Sequence, residues 1–139
     1  MGFNIEATNN RNDGFHIVRS EGNVFHANTA AANDDDGFDL DTAIANLFIS
    51  SVVHENRNKG FNLEFSVGNF FLDNTSNDNG DRGFRVSHGS RYNPFVGNMA
   101  CHNKSFDFEE NSNPNFFRRN VFSKNVFCTV FGIRPGEEF

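Results

Sequence analysis

Apolar residues in this chain fall in short, fixed slots separated by polar pairs, and the same slots return about every 23 residues. A phenylalanine preceded two places earlier by an asparagine occurs at Asn23-Val24-Phe25, Asn46-Leu47-Phe48, Asn69-Phe70-Phe71, Asn93-Pro94-Phe95 and Asn115-Phe116-Phe117, in steps of 23, 23, 24 and 22. A second series keeps phase with it: Gly14-Phe15, Gly37-Phe38, Gly60-Phe61, Gly83-Phe84 and then Ser105-Phe106. Two locked series at one period mark a repeated structural unit. Ile17, Leu40, Leu63, Val86 and Phe108 fill a slot two residues after the first aromatic, the alternation of a short strand. Ser20, Ala43, Ser66, Ser90 and Ser112 stand three residues before the first asparagine. Ala7, Ala30, Val53, Ser76, Ala100 and Phe122 form a mostly small slot, followed three residues later by Asn10, Asn33, Asn56, Asn79, Asn103 and Asn125.

This spacing gives no helix a continuous apolar stripe, and it predicts very short strands joined by turns. If each 23-residue turn lies on the last, equivalent residues stack about 4.8 Å apart. The two phenylalanine series then become two internal stacks, and each recurrent asparagine bonds its copy above and below, as in other stacked strands. The expected fold is therefore an all-β parallel solenoid of five to six coils of 22–24 residues. Leucine-rich repeats have a similar period but need many leucines, and this chain has only Leu40, Leu47, Leu63 and Leu72. A hexapeptide helix fails because 23 is not a whole number of six-residue sides.

From about Ala7 to Asn125 the repeats resemble the right-handed parallel β-helix proteins of the pectate-lyase-like superfamily. That resemblance implies a fold and a carbohydrate-related range of activities (lyases, epimerases, hydrolases, tailspikes and non-catalytic surface proteins) without choosing among them. It also implies an extracellular, cell-surface or periplasmic setting.

At 139 residues the chain makes one domain, residues 1–139, of about five and a half coils. Neither end shows a clear cap: Cys128 and Val130 fall where Phe106 and Phe108 would recur. A fragment of a longer solenoid, or ends that stack on another copy or on neighbouring coils, is the expectation. A hydrophobic fraction of 37% with 19 Phe suits a thin, concentrated core. Net charge of -6, with 12 Lys and Arg spread singly, argues against a nucleic-acid partner. No membrane-spanning run or signal peptide opens the chain; Met1-Gly2 leads directly into repeat-like sequence. Cys101 and Cys128 are 27 apart, out of phase with the coil, and are expected to be buried, unbridged thiols. His26, His54, His88 and His102 share no repeat position and read as surface residues.

Candidate chemistry sits on the outward positions of the first strand. Stacked by coil they are His16, Asp39, Asn62, Arg85 and Asp107, and two residues further on Val18, Asp41, Glu64, Val86 or Ser87, and Glu109. Asp39, Asp41 and Glu64 are expected to lie close together, flanked by His16, Arg19 and Arg85. Such a group can split carboxylate pKa values into an acid and a base, or hold a hard cation such as Ca²⁺. The bland alternative is a solvated face whose mixed charge blocks sideways aggregation. Asn33-Asp34-Asp35-Asp36-Gly37 looks like a calcium loop but fails that spacing, because Ala32 holds the first ligand position, and it reads as a turn.

Asp36-Gly37-Phe38-Asp39-Leu40-Asp41 followed by Gly60-Phe61-Asn62-Leu63-Glu64 resembles the catalytic coils of mannuronan C5-epimerases, whose motif is Tyr-Gly-Phe-Asp-Pro-His. Asp39 matches the motif aspartate, and Glu64 stands where the second-coil aspartate would be. Asp36 replaces the tyrosine and Asp41 the histidine. The expected function is a module that recognises a uronate polysaccharide without catalysis of its own. The alternatives are a structural, end-stacking scaffold and a divergent epimerase or lyase with Asp39, Asp41 and Glu64 as its candidates. No cofactor is expected, apart from the option of Ca²⁺.

Overall fold

The computed structural model describes residues 1–112 and 114–123. Each coil contributes three short strands. The first holds β1 (Gly2–Phe3), β2 (Glu6–Thr8) and β3 (Phe15–Val18), and the second β4 (Val24–His26), β5 (Thr29–Ala31) and β6 (Phe38–Asp41). The third holds β7 (Leu47–Ile49), β8 (Val52–His54) and β9 (Phe61–Glu64), and the fourth β10 (Phe70–Leu72), β11 (Thr75–Asn77) and β12 (Arg82–Ser87). The fifth holds β13 (Pro94–Val96), β14 (Met99–Cys101) and β15 (Phe106–Glu110), and the chain then adds β16 (Phe116–Arg118) and β17 (Val121–Ser123). Every third strand pairs in parallel, giving three sheets: sheet A (β1-β4-β7-β10-β13-β16), sheet B (β2-β5-β8-β11-β14-β17) and sheet C (β3-β6-β9-β12-β15). The described residues contain no helix.

The centre residue of each sheet A strand points inward. Phe25, Phe48, Phe71 and Phe95 stack face to face with ring centroids 4.9, 4.8 and 4.7 Å apart, and Phe117 continues the column at 5.4 Å. On sheet C, Phe15, Phe38, Phe61 and Phe84 stack at 4.4, 5.0 and 4.8 Å. The two columns meet edge to face, Phe38 on Phe48 at 5.6 Å and 84° for instance. Offset stacks along the axis and T-shaped contacts across it are the two geometries that aromatic quadrupoles favour. Sheet B supplies the small wall, with Ala30, Val53, Ser76 and Ala100 fully buried, and so lets the two aromatic walls meet.

Asparagine ladders hold the corners. Asn46 Oδ1 accepts the backbone N–H and the side-chain amide of Asn23, and Asn69 does the same for Asn46. A second ladder runs Asn28, Ser51, Asn74, Asn98, Asn120 and a third Asn10, Asn33, Asn56, Asn79, Asn103. Residues just before many rungs turn the corner with positive φ, among them Ala27, Ala32, Ser50, Glu55 and Asp73. Backbone groups that a bend would strand are thereby paired with side chains.

One register expectation is corrected. Phe106 is not the fifth member of the sheet C column: Phe108 lies beneath Phe84, while Phe106 pairs with Arg82 and is 45% exposed. An extra residue enters the turn at His88-Gly89, so Ser66 to Ser90 spans 24 residues and Phe84 to Phe108 does the same. Asp107 thus takes the slot that Gly14, Gly37, Gly60 and Gly83 hold in earlier coils. It is buried, and its Oδ1 accepts the backbone and side-chain N–H of Asn103 at 3.1 and 2.8 Å, standing in for the next rung of that ladder. Phe108 accordingly leaves the slot of Val86, which pairs with Glu110.

Cys101 is buried and is a half-cystine, which corrects the expectation of two unbridged thiols. Expectations for Asn125, Cys128 and Val130 lie outside the described residues.

Candidate functional site

On each sheet C strand, the residues beside the inward phenylalanine and aliphatic slots face outward. The register is His16, Asp39, Asn62, Arg85, Glu109 in one row and Val18, Asp41, Glu64, Ser87 in the next. Glu109, not Asp107, therefore follows Arg85, because the step into the last strand is 24 residues and not the 22 that Asp107 would need. Ser87, not Val86, follows Glu64.

The first row is a connected polar line. His16 Nε2 lies 3.3 Å from Asp39 Oδ2. Asp39 Oδ1 accepts the side-chain amide of Asn62 at 2.9 Å, and Asn62 Oδ1 accepts from Arg85 at 3.1 Å. Arg85 then donates to Glu64 at 2.8 Å and lies 3.6 Å from Glu109. Burial raises the Asp39 pKa, and the nearby carboxylates of Asp13 and Glu64 add to this, opposed by the Asn62 hydrogen bond and by His16.

Of the site residues expected from sequence, His16, Asp39, Asn62, Glu64 and Arg85 are brought together. Asp41 is paired in register with Glu64 but is engaged locally, accepting from the Thr42 hydroxyl at 2.8 Å. Arg19 is exposed in the turn after β3, and its backbone N–H donates to the Asp41 carbonyl. The three carboxylates do not act as one group: Asp39 belongs to His16 and Asn62, Glu64 to Arg85, Asp41 to Thr42.

Several participants were not singled out by the pattern. Arg82 begins β12, binds Glu109 at 2.5 Å, contacts Asp81, and stacks over Phe106 at 5.8 Å. The Glu109 hydrogen bond holds the Arg82 pKa up. Burial works against ionisation of Asp81, but hydrogen bonds from Ser105 and Arg82 outweigh it and lower its pKa. His88, a surface residue as expected, lies 3.5 Å from Glu64. At the other end Asp13 lies 4.0 Å from His16 and accepts the Asp36 backbone N–H at 3.0 Å. Burial raises the Asp13 pKa. Asp36 is buried, ion-paired to Lys59 at 3.5 Å, and pushed up to about 6 by desolvation, which Lys59 only partly offsets. The conserved spacing of 23 between Asp13, Asp36 and Lys59 was the available signal, since each occupies the same corner one coil on.

Among the described residues two groups have ligand atoms within 4.8 Å of one another, Asp13-His16-Asp39 and Asp13-Asp35-Asp36. Carboxylate oxygens in that number suit a hard divalent cation, while the histidine of the first suits a borderline metal.

The family model for a right handed beta helix region matches residues 4–100. The chain belongs to the right-handed β-helix family. Among solved structures, a double mutant of the periplasmic alginate epimerase AlgG superposes with a TM-score of 0.79 and the unsubstituted enzyme with 0.78, both at 22% identity. In each case the match covers 83% of this chain and 31% of the other, so this β-helix spans about a third of that enzyme's length. At this identity the likeness is one of fold. A search of curated proteins by sequence finds no match. Among the described residues no helix is long and apolar enough to cross a membrane.

Proposed function

We propose that this β-helix recognises a uronate polysaccharide laid along the outer face of sheet C. The observation that carries the reading is the line His16-Asp39-Asn62-Arg85-Glu109. It places one hydrogen-bonding or charged side chain on every coil, at the strand repeat of about 4.8 Å. That repeat is comparable with the length of one pyranose ring, so successive sugars meet successive coils. Arg85 offers a planar donor set for a sugar carboxylate, and Asp39 accepts from hydroxyls. Ca²⁺ bridging a polymer carboxylate to Asp13 and Asp39 is the metal-dependent form of the same reading. Support comes from the fold neighbour, whose name makes it an alginate epimerase of the periplasm, and the reading goes with a periplasmic or extracellular setting.

Turnover is a second reading, favoured by the His16–Asp39 contact. A half-exposed imidazole beside a carboxylate of raised pKa is an acid–base pair. Proton NMR with alginate, pectate and neutral glycans, with and without Ca²⁺, tests both. Selective line broadening with the uronates, weakened about tenfold by Asp39→Asn or Arg85→Gln, is expected. New epimerised or unsaturated sugar signals would assign an enzyme. Unchanged spectra across the panel would remove both readings and leave a scaffold.

A further inference from the structure

The three outer faces of this solenoid differ sharply. Sheet C is charged, and sheet B carries a mixture outward, with Thr29, His54, Thr75 and Asn77 beside Val52 and Met99. Sheet A presents Leu47, Ile49, Phe70, Leu72, Pro94 and Val96 outward on its three central strands, each partly exposed. No carboxylate or amine interrupts these rungs. The strip continues through Val24, with the exposed His26 beside it, to Phe3 at one end, 50% exposed, and to Phe116 at the other, 56% exposed. The main contacts of sheet A strands are with one another, and no other described strand packs over them. Inward packing does not explain the composition, because the inward slot of each strand is already filled by a phenylalanine. Solvated outer strand positions ordinarily take polar residues.

We propose that the outer face of sheet A is a docking surface for a second copy of this chain, packed face to face with antiparallel solenoid axes. Six strands at the sheet spacing and three residues of width make a strip of roughly 25 by 10 Å. Another copy carries a strip of the same length and character, and sheets with apolar faces pack about 10 Å apart in this way. Charge favours the same occupant. The chain carries a net charge of -6, and two like-charged copies approach at least cost through a face whose strands carry no carboxylate and, as their one formally charged side chain, Arg118, with both sheet C faces left open. The antiparallel arrangement lays Phe3 of one copy against Phe116 and Arg118 of the other, whereas a parallel one sets Arg118 against Arg118. A few hundred Å² per copy is less than the ~800 Å² of a permanent interface. The dimer is therefore weak and concentration-dependent.

Sedimentation velocity from about 10 µM to about 1 mM reads this directly. The expected result is a sedimentation coefficient that rises toward the dimer value. Leu72→Glu, outward on the central rungs, weakens association at least tenfold with an unchanged circular dichroism spectrum, because a carboxylate is then buried without a partner. Thr75→Glu, at an outward slot of sheet B, leaves association unchanged. A wild-type chain that stays monomeric at about 1 mM overturns the proposal, as does a dimer indifferent to Leu72→Glu or equally broken by Thr75→Glu. A monomer that instead binds phosphatidylglycerol vesicles, and loses them on Leu72→Glu, gives the face to lipid and also overturns it.

Discussion

The side-chain oxygen of Asn69 accepts both the backbone N–H and the side-chain amide of Asn46, one coil earlier, each at 3.0 Å. Asn69 also donates to the Ala43 carbonyl at 2.9 Å and to Asn93 beyond it. Both asparagines are buried, so every one of these groups has left water.

Asn69→Leu keeps the volume but strands the Asn46 N–H and removes one of the two donors to the Ala43 carbonyl, which keeps the Val67 N–H. An unmade buried hydrogen bond costs about 1–3 kcal/mol per group, and a loss of about 2–3 kcal/mol is expected. Asn23→Leu, at a half-exposed rung where Asn46 loses no donor it cannot replace with water, should cost about 1 kcal/mol. Urea titration of the two variants measures the difference. Equal losses would mean that the ladder is not the source of stability.

Register in the last full coil can be checked in the same way. Phe108 stacks on Phe122 at 4.6 Å and meets Phe95 and Phe117 edge to face, so Phe108→Ala should cost about 3–5 kcal/mol. Phe106 is 45% exposed, with the Arg82 guanidinium over its ring; because it is so exposed, Phe106→Ala should stay within about 1 kcal/mol of wild type. The reverse order of midpoints would restore the even step that the Ser105-Phe106 pair suggests.

The fold was legible because the repeat constrains residue identity and not only polarity. Phenylalanine at Phe48 and Phe71 and asparagine at Asn46 and Asn69 must match their own copies, so the period prints itself on the sequence. The site was legible only in part, because outward residues owe nothing to their copies. His16, Asp39, Asn62 and Arg85 could be placed by counting from the phenylalanines. Glu109 could not, since the residue added at His88-Gly89 and the one lost after Glu110 leave the total spacing nearly unchanged. Arg82 and Lys59 sit at strand starts and corners, where alternation gives no direction. Their partners appear only once coils are stacked.

Asp36 links burial to pH. Its carboxyl titrates at about 6 in the folded protein against an ordinary value of 3.8. Between those values the folded state holds the proton more tightly than the unfolded chain. The stability it contributes is thus full below about pH 4 and is lost as pH rises through 6. A shift of this size is worth about 3 kcal/mol. Asp36→Asn cannot ionise, so its stability relative to wild type should improve by that order between pH 4 and pH 7. Paired denaturation curves at the two values show it, and a constant difference would place the Asp36 pKa near its ordinary value.

Two glycines separate close approach from backbone conformation. A Cβ on Gly60 would collide with the Ser76 hydroxyl and reach 2.7 Å from the Gly83 carbonyl oxygen of the next coil, because sheets B and C converge there. Backbone cannot yield as a side-chain tip does, and the same contact recurs at Gly37 against the Gly60 carbonyl, so any shift would propagate along the column. Gly68 has nothing within 4 Å of that position but turns its corner with φ of +67°. Gly68→Ala should therefore cost only the left-handed strain of an alanine, about 1–2 kcal/mol. The neighbouring rows already tolerate it, as at Ala45 with φ of 50°. Gly60→Ala should cost well over 3 kcal/mol, in the range of severe overpacking. Thermal melts of the two variants would fail to support this packing if Gly68→Ala proved the more damaging.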